Sequence, residues 1–324
     1  MASVYPQSTT ERDRWILDRR PPRNPVNAHE PYACFLEEEY GSKGRVEPVA
    51  TIFLTNGECP FRCAMCDLWR NTLTESVQIG AIPEQIDFAL KRLGPAPIVK
   101  LYNSGSFFDP RAIPPEDYDA IATRVQDFDR VIVECHPAFL GESSLAFRDL
   151  LRGRLEVAMG LETANPDILE KLNKRMTLEQ FTAAADFLRR HKIDVRAFIL
   201  VQPPFMQPDE AVFWARRSLE FAFDYGANAA TLISTRGGNG AMEALATAGE
   251  FSPPALSMLE EAAAYGLSLR RGRVFTDLWD LKRRAECAYC FDARVRRLRK
   301  MNLCQSPVDP LVCDACHGRS GRVN

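Results

Sequence analysis

The chain has 324 residues, of which 46% are hydrophobic and 26% charged, and its formal net charge is −2. This composition is typical of a globular protein and excludes a disordered chain, and no apolar run reaches the roughly 20 residues that a membrane helix needs. The balanced charge excludes a general attraction to nucleic acid. The first residues lack the apolar stretch of a secretory signal, so we expect a cytoplasmic protein without membrane contact. In that compartment its ten cysteines bind metal more readily than they form disulfides.

Six apolar runs without strict alternation are predicted as strands of a parallel sheet buried on both faces: 49–55, 97–102, 130–135, 155–160, 195–201 and 228–234. Helical periodicity lies between them over 82–93, 115–127, 141–151, 177–191 and 208–225. This order predicts the α/β class and a partial (β/α)6 TIM-like barrel, because helical crossovers join parallel strands. An open doubly wound sheet would need a glycine-rich phosphate loop after its first strand, where this chain has cysteines.

The predicted barrel covers residues 47–275. An N-terminal extension over 1–46 contains several prolines and arginines, and we expect it to wrap the outside of the barrel. A small basic, Cys-rich segment over 276–324 follows the barrel and is predicted to bind metal.

Three cysteines follow the first predicted strand with the spacing Cys59-x3-Cys63-x2-Cys66. A 4Fe-4S cluster is usually held by four thiolates, so three ligands leave one iron free. That iron can bind the amino and carboxylate groups of S-adenosylmethionine and bring its sulfonium close to the cluster. The loop also follows a strand at the C-terminal face of the predicted barrel, where such barrels have their active sites. The alternative is a zinc knuckle with a distant fourth ligand.

The cysteine spacing resembles the signature of the radical S-adenosylmethionine (radical SAM) superfamily, and the resemblance extends from about residue 48 to about residue 250. Within the superfamily, the chain is most similar to the branch around the Elongator catalytic subunit, and especially to the archaeosine-biosynthesis radical enzymes that act on tRNA. The segments 104–109, 160–165, 173–174 and 202–205 carry this similarity. The resemblance implies a radical SAM core barrel that binds a 4Fe-4S cluster and S-adenosylmethionine.

The resemblance also implies which residues bind the cofactor. The turn at 104–106 stands where the backbone of relatives holds the methionine amino group. Two glutamates at the ends of the third and fourth strands stand where relatives contact the ribose or the methionine part, and a lysine stands where relatives face the methionine carboxylate. These residues are Ser104, Gly105, Ser106, Glu134, Gly160, Glu162 and Lys174. Two positions, Met65 and Phe198, differ from the family pattern.

The C-terminal segment contains two Cys-x2-Cys pairs, formed by Cys287, Cys290, Cys313 and Cys316. Two such pairs about twenty residues apart are typical of a structural zinc site. The alternative is an auxiliary iron-sulfur cluster, which Cys304 could join.

The predicted function is that of an enzyme that cleaves S-adenosylmethionine to a 5′-deoxyadenosyl radical and abstracts hydrogen from a substrate. We expect an electron donor such as a flavodoxin or ferredoxin. The basic run at 294–300 favours tRNA base modification, with Arg296 and Arg297 as RNA contacts. Two alternatives are a radical enzyme acting on a small metabolite or peptide, and a non-catalytic RNA-binding protein stabilised by metal. The substrate, the bond broken, the fate of S-adenosylmethionine and the oligomeric state stay open.

Overall fold

The computed structural model of the chain describes residues 3–284 and 287–317. It contains one eight-stranded sheet whose spatial order follows the sequence. The first strand is antiparallel to the second, and all later neighbours are parallel. The strands are β1 (Ala33–Tyr40), β2 (Val46–Leu54), β3 (Ile98–Asn103), β4 (Arg130–Glu134), β5 (Arg154–Glu162), β6 (Asp194–Val201), β7 (Ala229–Ser234) and β8 (Arg273–Thr276).

Helices connect the parallel strands and cover the outside of the sheet. Helix α6 shows why the local sequence is helical: the Thr177 hydroxyl accepts a hydrogen bond from the Gln180 backbone, and the Gln180 side chain accepts one from the Thr177 backbone. The helices are α1 (Thr9–Leu17), α2 (Ala81–Leu90), α3 (Tyr118–Arg124), α4 (Glu142–Leu150), α5 (Pro166–Lys171), α6 (Leu178–Arg190), α7 (Ala211–Asp224), α8 (Ala241–Thr247), α9 (Leu256–Ser268), α10 (Phe291–Cys304) and α11 (Asp314–His317).

The main apolar core lies between the sheet and these helices. Ile52, Leu101, Val133 and Ile199 project outwards from four strands, are fully buried, and belong to one cluster with side chains from the helices. A second buried cluster, formed by Val49, Ile98 and Ile132, lies on the opposite face of the sheet, so most positions of these strands are apolar. The six predicted strands are therefore confirmed as β2 to β7, and the predicted α/β class with them.

The two edge strands were not predicted. Strand β1 lies in the segment expected to be an extension and carries the acidic run Glu37–Glu39, whereas β8 has only four residues. Their acidic and short sequences lack the long apolar run that indicates a buried strand. The sheet therefore has one more strand on each side than the sequence indicates.

Charged side chains fill the end of the barrel interior where the strands begin. Arg196 is 2% exposed and binds Glu39 at 2.5 Å and Glu156 at 2.7 Å. Lys100 also binds Glu39, at 2.7 Å, and Arg130 binds Glu156, at 2.8 Å. Burial opposes ionisation of the two glutamates, but Arg196 and the other basic neighbours together outweigh it. The pKa of Glu39 is therefore lowered, and that of Glu156 is lowered to about 2.

Helix α10 covers the outer edge of β8. The Asn302 side-chain amide accepts a hydrogen bond from the Thr276 nitrogen at 2.8 Å and donates one to the Thr276 carbonyl at 2.9 Å. Gln305, directly after the helix, makes the same two bonds with Val274, both at 2.8 Å. Leu298 of α10 is fully buried in the main core. The two amides therefore satisfy the backbone groups that an adjacent strand would otherwise bind.

Candidate functional site

The cysteine loop begins at the carboxyl end of β2 and is fixed by contacts from several parts of the chain. The Ala64 nitrogen donates a hydrogen bond to the Leu172 carbonyl at 2.9 Å. The Asn239 amide donates to the carbonyls of Ala64 and Cys66 at 2.8 and 3.1 Å, and the Trp69 indole nitrogen donates to the Cys66 carbonyl at 3.1 Å. These contacts hold the loop backbone independently of any ligand on the thiols.

The N-terminal segment, residues 3–24, lies against this loop. Glu58, directly before the first cysteine, accepts hydrogen bonds from Arg20 at 2.7 Å and from Arg23. Burial opposes ionisation of Glu58, but these two arginines outweigh it and lower its pKa. Trp15 of α1 packs in one apolar cluster with Ala64 of the loop. Sequence reasoning missed this role, and the arginines and prolines at 19–25 were the only local signal of it.

Polar groups without partners lie beside the loop, at the end of β3. A Cβ atom on Gly105 would lie 3.5 Å from the Cys59 Cβ and 3.6 Å from the Asn56 amide nitrogen. Both side-chain polar atoms of Asn103 are buried and have no hydrogen-bond partner among the described residues. Glu134 accepts a hydrogen bond from the Asn103 nitrogen at 2.9 Å, and burial raises the pKa of Glu134 to about 8. A bound polar ligand would satisfy these groups.

The end of β5 carries a largely buried ion pair. Lys174 and Glu162 are 11% and 9% exposed, and their charged atoms lie 2.8 Å apart. A Cβ atom on Gly160 would lie 2.1 Å from the Glu162 carboxylate and 2.6 Å from the Lys174 nitrogen, so only glycine leaves room for the pair. Glu162 follows a bulge in β5 and has a φ of 64°, and Asn173 and Gln202 have φ values of 57° and 53°. Strained non-glycine residues of this kind concentrate at functional sites.

The two serines of the turn after β3 are buried, and one of them has a partner within the chain. The Ser106 hydroxyl accepts a hydrogen bond from the His136 nitrogen at 2.9 Å. The Ser104 hydroxyl has no hydrogen-bond partner among the described residues. The His136 ring lies 4.1 Å from the Phe61 ring, centroid to centroid, and burial lowers the pKa of His136 to about 3. No partner for His136 could be predicted from the sequence, and the structure places it against the cysteine loop as a neutral side chain.

The geometry of the three loop thiols fits an iron-sulfur cluster better than one zinc ion. Zinc–sulfur bonds of about 2.3 Å place thiolates about 3.8 Å apart. Within the described residues, Cys59, Cys63 and Cys66 do not form a group whose ligand atoms all lie within 4.8 Å of one another. In a cubane cluster each thiolate binds a different iron, which separates the sulfurs further. Burial raises the pKa of all three thiols, that of Cys66 to about 12, so a cation must compensate their ionisation.

The C-terminal cysteines form a second, more compact group. The sulfurs of Cys287 and Cys313 lie 4.0 Å apart, those of Cys290 and Cys316 lie 3.6 Å apart, and all four lie within 4.8 Å of one another. Cys290 immediately precedes α10, whereas Cys304 is exposed at the other end of this 14-residue helix, about 20 Å away along the axis. The expectation that Cys304 could join this group is therefore wrong.

The basic run on α10 is partly used inside the fold. Arg294 and Arg297 both bind Glu260 of α9, and Arg297 also donates to the backbone carbonyls of 308–309. Arg296 and Lys300 are exposed. Of the two arginines predicted to contact RNA, only Arg296 is therefore available, because Arg297 is 9% exposed and ion-paired.

None of the known protein-family models matches the chain. Archaeosine synthase subunit beta of Methanosarcina acetivorans is 25% identical to it over 306 residues, which cover 90% of this chain and 88% of that protein. The protein of the same name from Thermococcus kodakarensis is 29% identical over 133 residues, covering 39% of this chain and 41% of that one. Among solved structures, Elp3 of Methanocaldococcus infernus is similar with a TM-score of 0.51 and 15% identity over 68% of this chain and 59% of that one. The chain shares the fold of this protein.

This shared fold confirms the predicted partial barrel. It places the loop of Cys59, Cys63 and Cys66 at the edge where the parallel strands end, together with Glu134 and Glu162. Within the described residues, no helix is both long and apolar enough to cross a membrane.

Proposed function

We propose that this radical SAM protein is an enzyme that binds a 4Fe-4S cluster through Cys59, Cys63 and Cys66 and cleaves S-adenosylmethionine reductively. The position of these thiols carries the proposal, because three ligands with wide spacing lie on one loop at the active-site edge of the fold. When bound, such a cluster supplies the electron that turns S-adenosylmethionine into a 5′-deoxyadenosyl radical, which abstracts hydrogen from the substrate. The electron comes from a donor such as a flavodoxin or ferredoxin.

The neighbouring residues position the cofactor. Gly105 lets the backbone of its turn approach the methionine amino group, and the unpartnered Asn103 amide supplies a further polar contact. Lys174, now paired with Glu162, neutralises the methionine carboxylate. Glu134 accepts a hydrogen bond from the cofactor, which compensates the burial of its carboxyl group. In this scheme the cofactor supplies hydrogen-bond partners for the Asn103 side-chain atoms, which have none within the described residues.

Aromatic side chains line the barrel interior below this edge. The rings of Tyr102 and Phe198 meet edge to face, with centroids 6.1 Å apart, between the cofactor edge and the charged end of the barrel. Phe198 thus contributes an apolar wall at a position where relatives have a polar residue. An apolar wall protects a reactive radical from solvent.

Anaerobic reconstitution tests the proposal. We expect about four irons per chain and formation of 5′-deoxyadenosine after dithionite and S-adenosylmethionine are added. The Cys59→Ala/Cys63→Ala/Cys66→Ala variant should lose both, whereas Cys304→Ala, at an exposed thiol outside both groups, should keep both. Zinc at the loop thiols, or a fully clustered protein that forms no 5′-deoxyadenosine, would contradict the proposal and favour a non-catalytic metal-stabilised protein.

We further propose that the substrate is tRNA and that the enzyme works with a partner subunit. The support is the similarity to two proteins named archaeosine synthase subunit beta, one of them over 90% of the chain. The exposed Arg296 and Lys300 supply cations for phosphate contacts. A radical enzyme acting on a small metabolite or peptide is the alternative outcome.

Binding of unmodified tRNA at several salt concentrations separates these substrates. Arg296→Glu/Lys300→Glu should weaken binding at least ten-fold and reduce its salt dependence, because each phosphate contact releases about one counterion. Lys91→Glu/Arg152→Glu is the matched control, since these residues are also exposed but lie at the amino end of the strands. Equal binding by both variants, or no binding by the wild type, would contradict the tRNA proposal without affecting 5′-deoxyadenosine formation.

A further inference from the structure

The C-terminal cysteine group has the geometry of a single tetrahedral ion. Two of its sulfur separations, 4.0 Å for Cys287 and Cys313 and 3.6 Å for Cys290 and Cys316, bracket the value of about 3.8 Å that tetrahedral zinc requires. A cubane cluster would need its four thiolates farther apart, one on each iron. The group also consists of thiols alone, as structural zinc sites often do.

The group is connected to the barrel by charged side chains next to it. Arg294 donates a hydrogen bond to the Cys290 sulfur at 3.3 Å and binds Glu260 of α9. Arg297, one turn further along α10, binds Glu260 at 3.0 Å. Outer contacts of this kind orient metal ligands and reduce the negative charge of four thiolates. The ligand Cys290 is therefore fixed to both α10 and α9.

The same helix provides the outer neighbour of β8. Asn302 and Gln305 bind the backbone of Thr276 and Val274, and Met301, directly before Asn302, is fully buried. Among the described strands, β1 and β8 do not pair with each other, so α10 stands between the two edges of the sheet. Cys290 precedes the first turn of α10, and Gln305 directly follows its last turn.

We propose that Cys287, Cys290, Cys313 and Cys316 bind one structural zinc ion that holds α10 against β8 and so closes the side of the barrel. The ion joins the start of α10 to the segment that returns after it, residues 313–316. A helix attached at one end by zinc and at the other by two side-chain amides replaces the strand that would complete the sheet edge. The site has no redox role, and its binding is independent of the cluster at the cysteine loop.

Metal analysis tests the identity of the ion. The Cys59→Ala/Cys63→Ala/Cys66→Ala variant should keep about one zinc per chain, and Cys313→Ser/Cys316→Ser should lose it. The control Cys304→Ala should keep its zinc, because that thiol lies at the far end of α10. Iron instead of zinc in the triple variant would overturn the proposal, and this result does not depend on whether S-adenosylmethionine is cleaved.

Hydrogen exchange tests the coupling to the barrel. The amide hydrogens of Thr276 and Val274 bind side chains at the end of α10, so removal of zinc from the wild type with phenanthroline should speed their exchange at least ten-fold. Ile199, fully buried on central β6, serves as the control and should not change. Re-addition of zinc should restore slow exchange, which separates a local effect from unfolding. Exchange at Thr276 and Val274 that stays slow after complete zinc removal would overturn the proposed closure.

Discussion

Replacing Arg196 by methionine removes the central cation of the charged barrel end. Arg196 is 2% exposed and contacts both Glu39 and Glu156 at 2.5 and 2.7 Å. Breaking a buried ion pair from one side typically costs about 3–5 kcal/mol, because a charge stays buried without compensation. Here Glu39 keeps Lys100 and Glu156 keeps Arg130. We therefore expect the lower end of that range, about 3 kcal/mol of unfolding free energy.

Urea denaturation of the metal-free protein at pH 7, followed by circular dichroism, measures this change. The control is Arg271→Met, which removes an equally short ion pair, 2.7 Å to Asp224, whose partners are 40% and 58% exposed. Solvent screens that pair, so its loss should cost less than about 1 kcal/mol.

The effect of Arg196→Met should also depend on pH. Because the folded pKa values of Glu39 and Glu156 are lowered, the unfolded chain binds more protons once the pH falls below their ordinary value of 4.5. The stability from the ion pairs is complete above that pH and is lost as the pH falls towards about 2. The disadvantage of the variant should therefore shrink over this interval. A loss below about 1 kcal/mol at pH 7, or an equal loss at about pH 3, would refute the reasoning.

Three further changes test the cysteine-loop edge. Burial raises the pKa of Glu134 to about 8, so the stability of the wild type should fall as the pH rises from 4.5 to about 8. The metal-free Glu134→Gln variant should lack this fall, and urea denaturation at several pH values measures it. Gly160→Ala should displace the adjacent ion pair and weaken S-adenosylmethionine binding at least ten-fold in equilibrium dialysis, whereas Gly94→Ala, with one neighbour at 3.8 Å, should not. Glu58→Gln should release the N-terminal segment and speed tryptic cleavage after Arg19 several-fold.

Each of these three expectations has an opposite result. A Glu134→Gln protein with the same pH profile as the wild type would show that this carboxyl does not retain its proton. Unchanged cofactor binding by Gly160→Ala would show that Glu162 and Lys174 tolerate displacement. Unchanged cleavage of Glu58→Gln would show that the apolar contacts of Trp15 suffice to hold the segment.

Local patterns explain how much of the fold could be predicted. Strands β2 to β7 combine apolar residues on both faces with helical segments between them, and these signals lie within a few residues of one another. The charged barrel end could not be predicted, because Lys100 and Arg196 look like isolated interruptions of apolar runs. Their partner Glu39 lies on β1, 157 residues away from Arg196 in the chain. Only the folding of the sheet into a partial barrel brings these charges together.

The candidate site shows the same division. The loop cysteines lie within eight residues of one another, so their spacing alone is enough to predict a cluster site. The link from Glu58 to Arg20 spans 38 residues, and the arginines and prolines at 19–25 do not indicate which residue Arg20 binds. The spacing of the C-terminal pairs predicted a metal group, but Cys304 was left as a candidate because sequence does not show that a 14-residue helix separates it from Cys290.

The charged end of the barrel also blocks passage through the barrel interior. Its members come from β1, β3, β4, β5 and β6, and each contacts a neighbour from another strand. The barrel is therefore blocked at the end where the strands begin and accessible at the end where the parallel strands finish. If S-adenosylmethionine is cleaved as proposed, its products leave through the same edge of the barrel at which it binds, where the cysteine loop lies. The order of binding and release then depends on the geometry of this edge as well as on affinity.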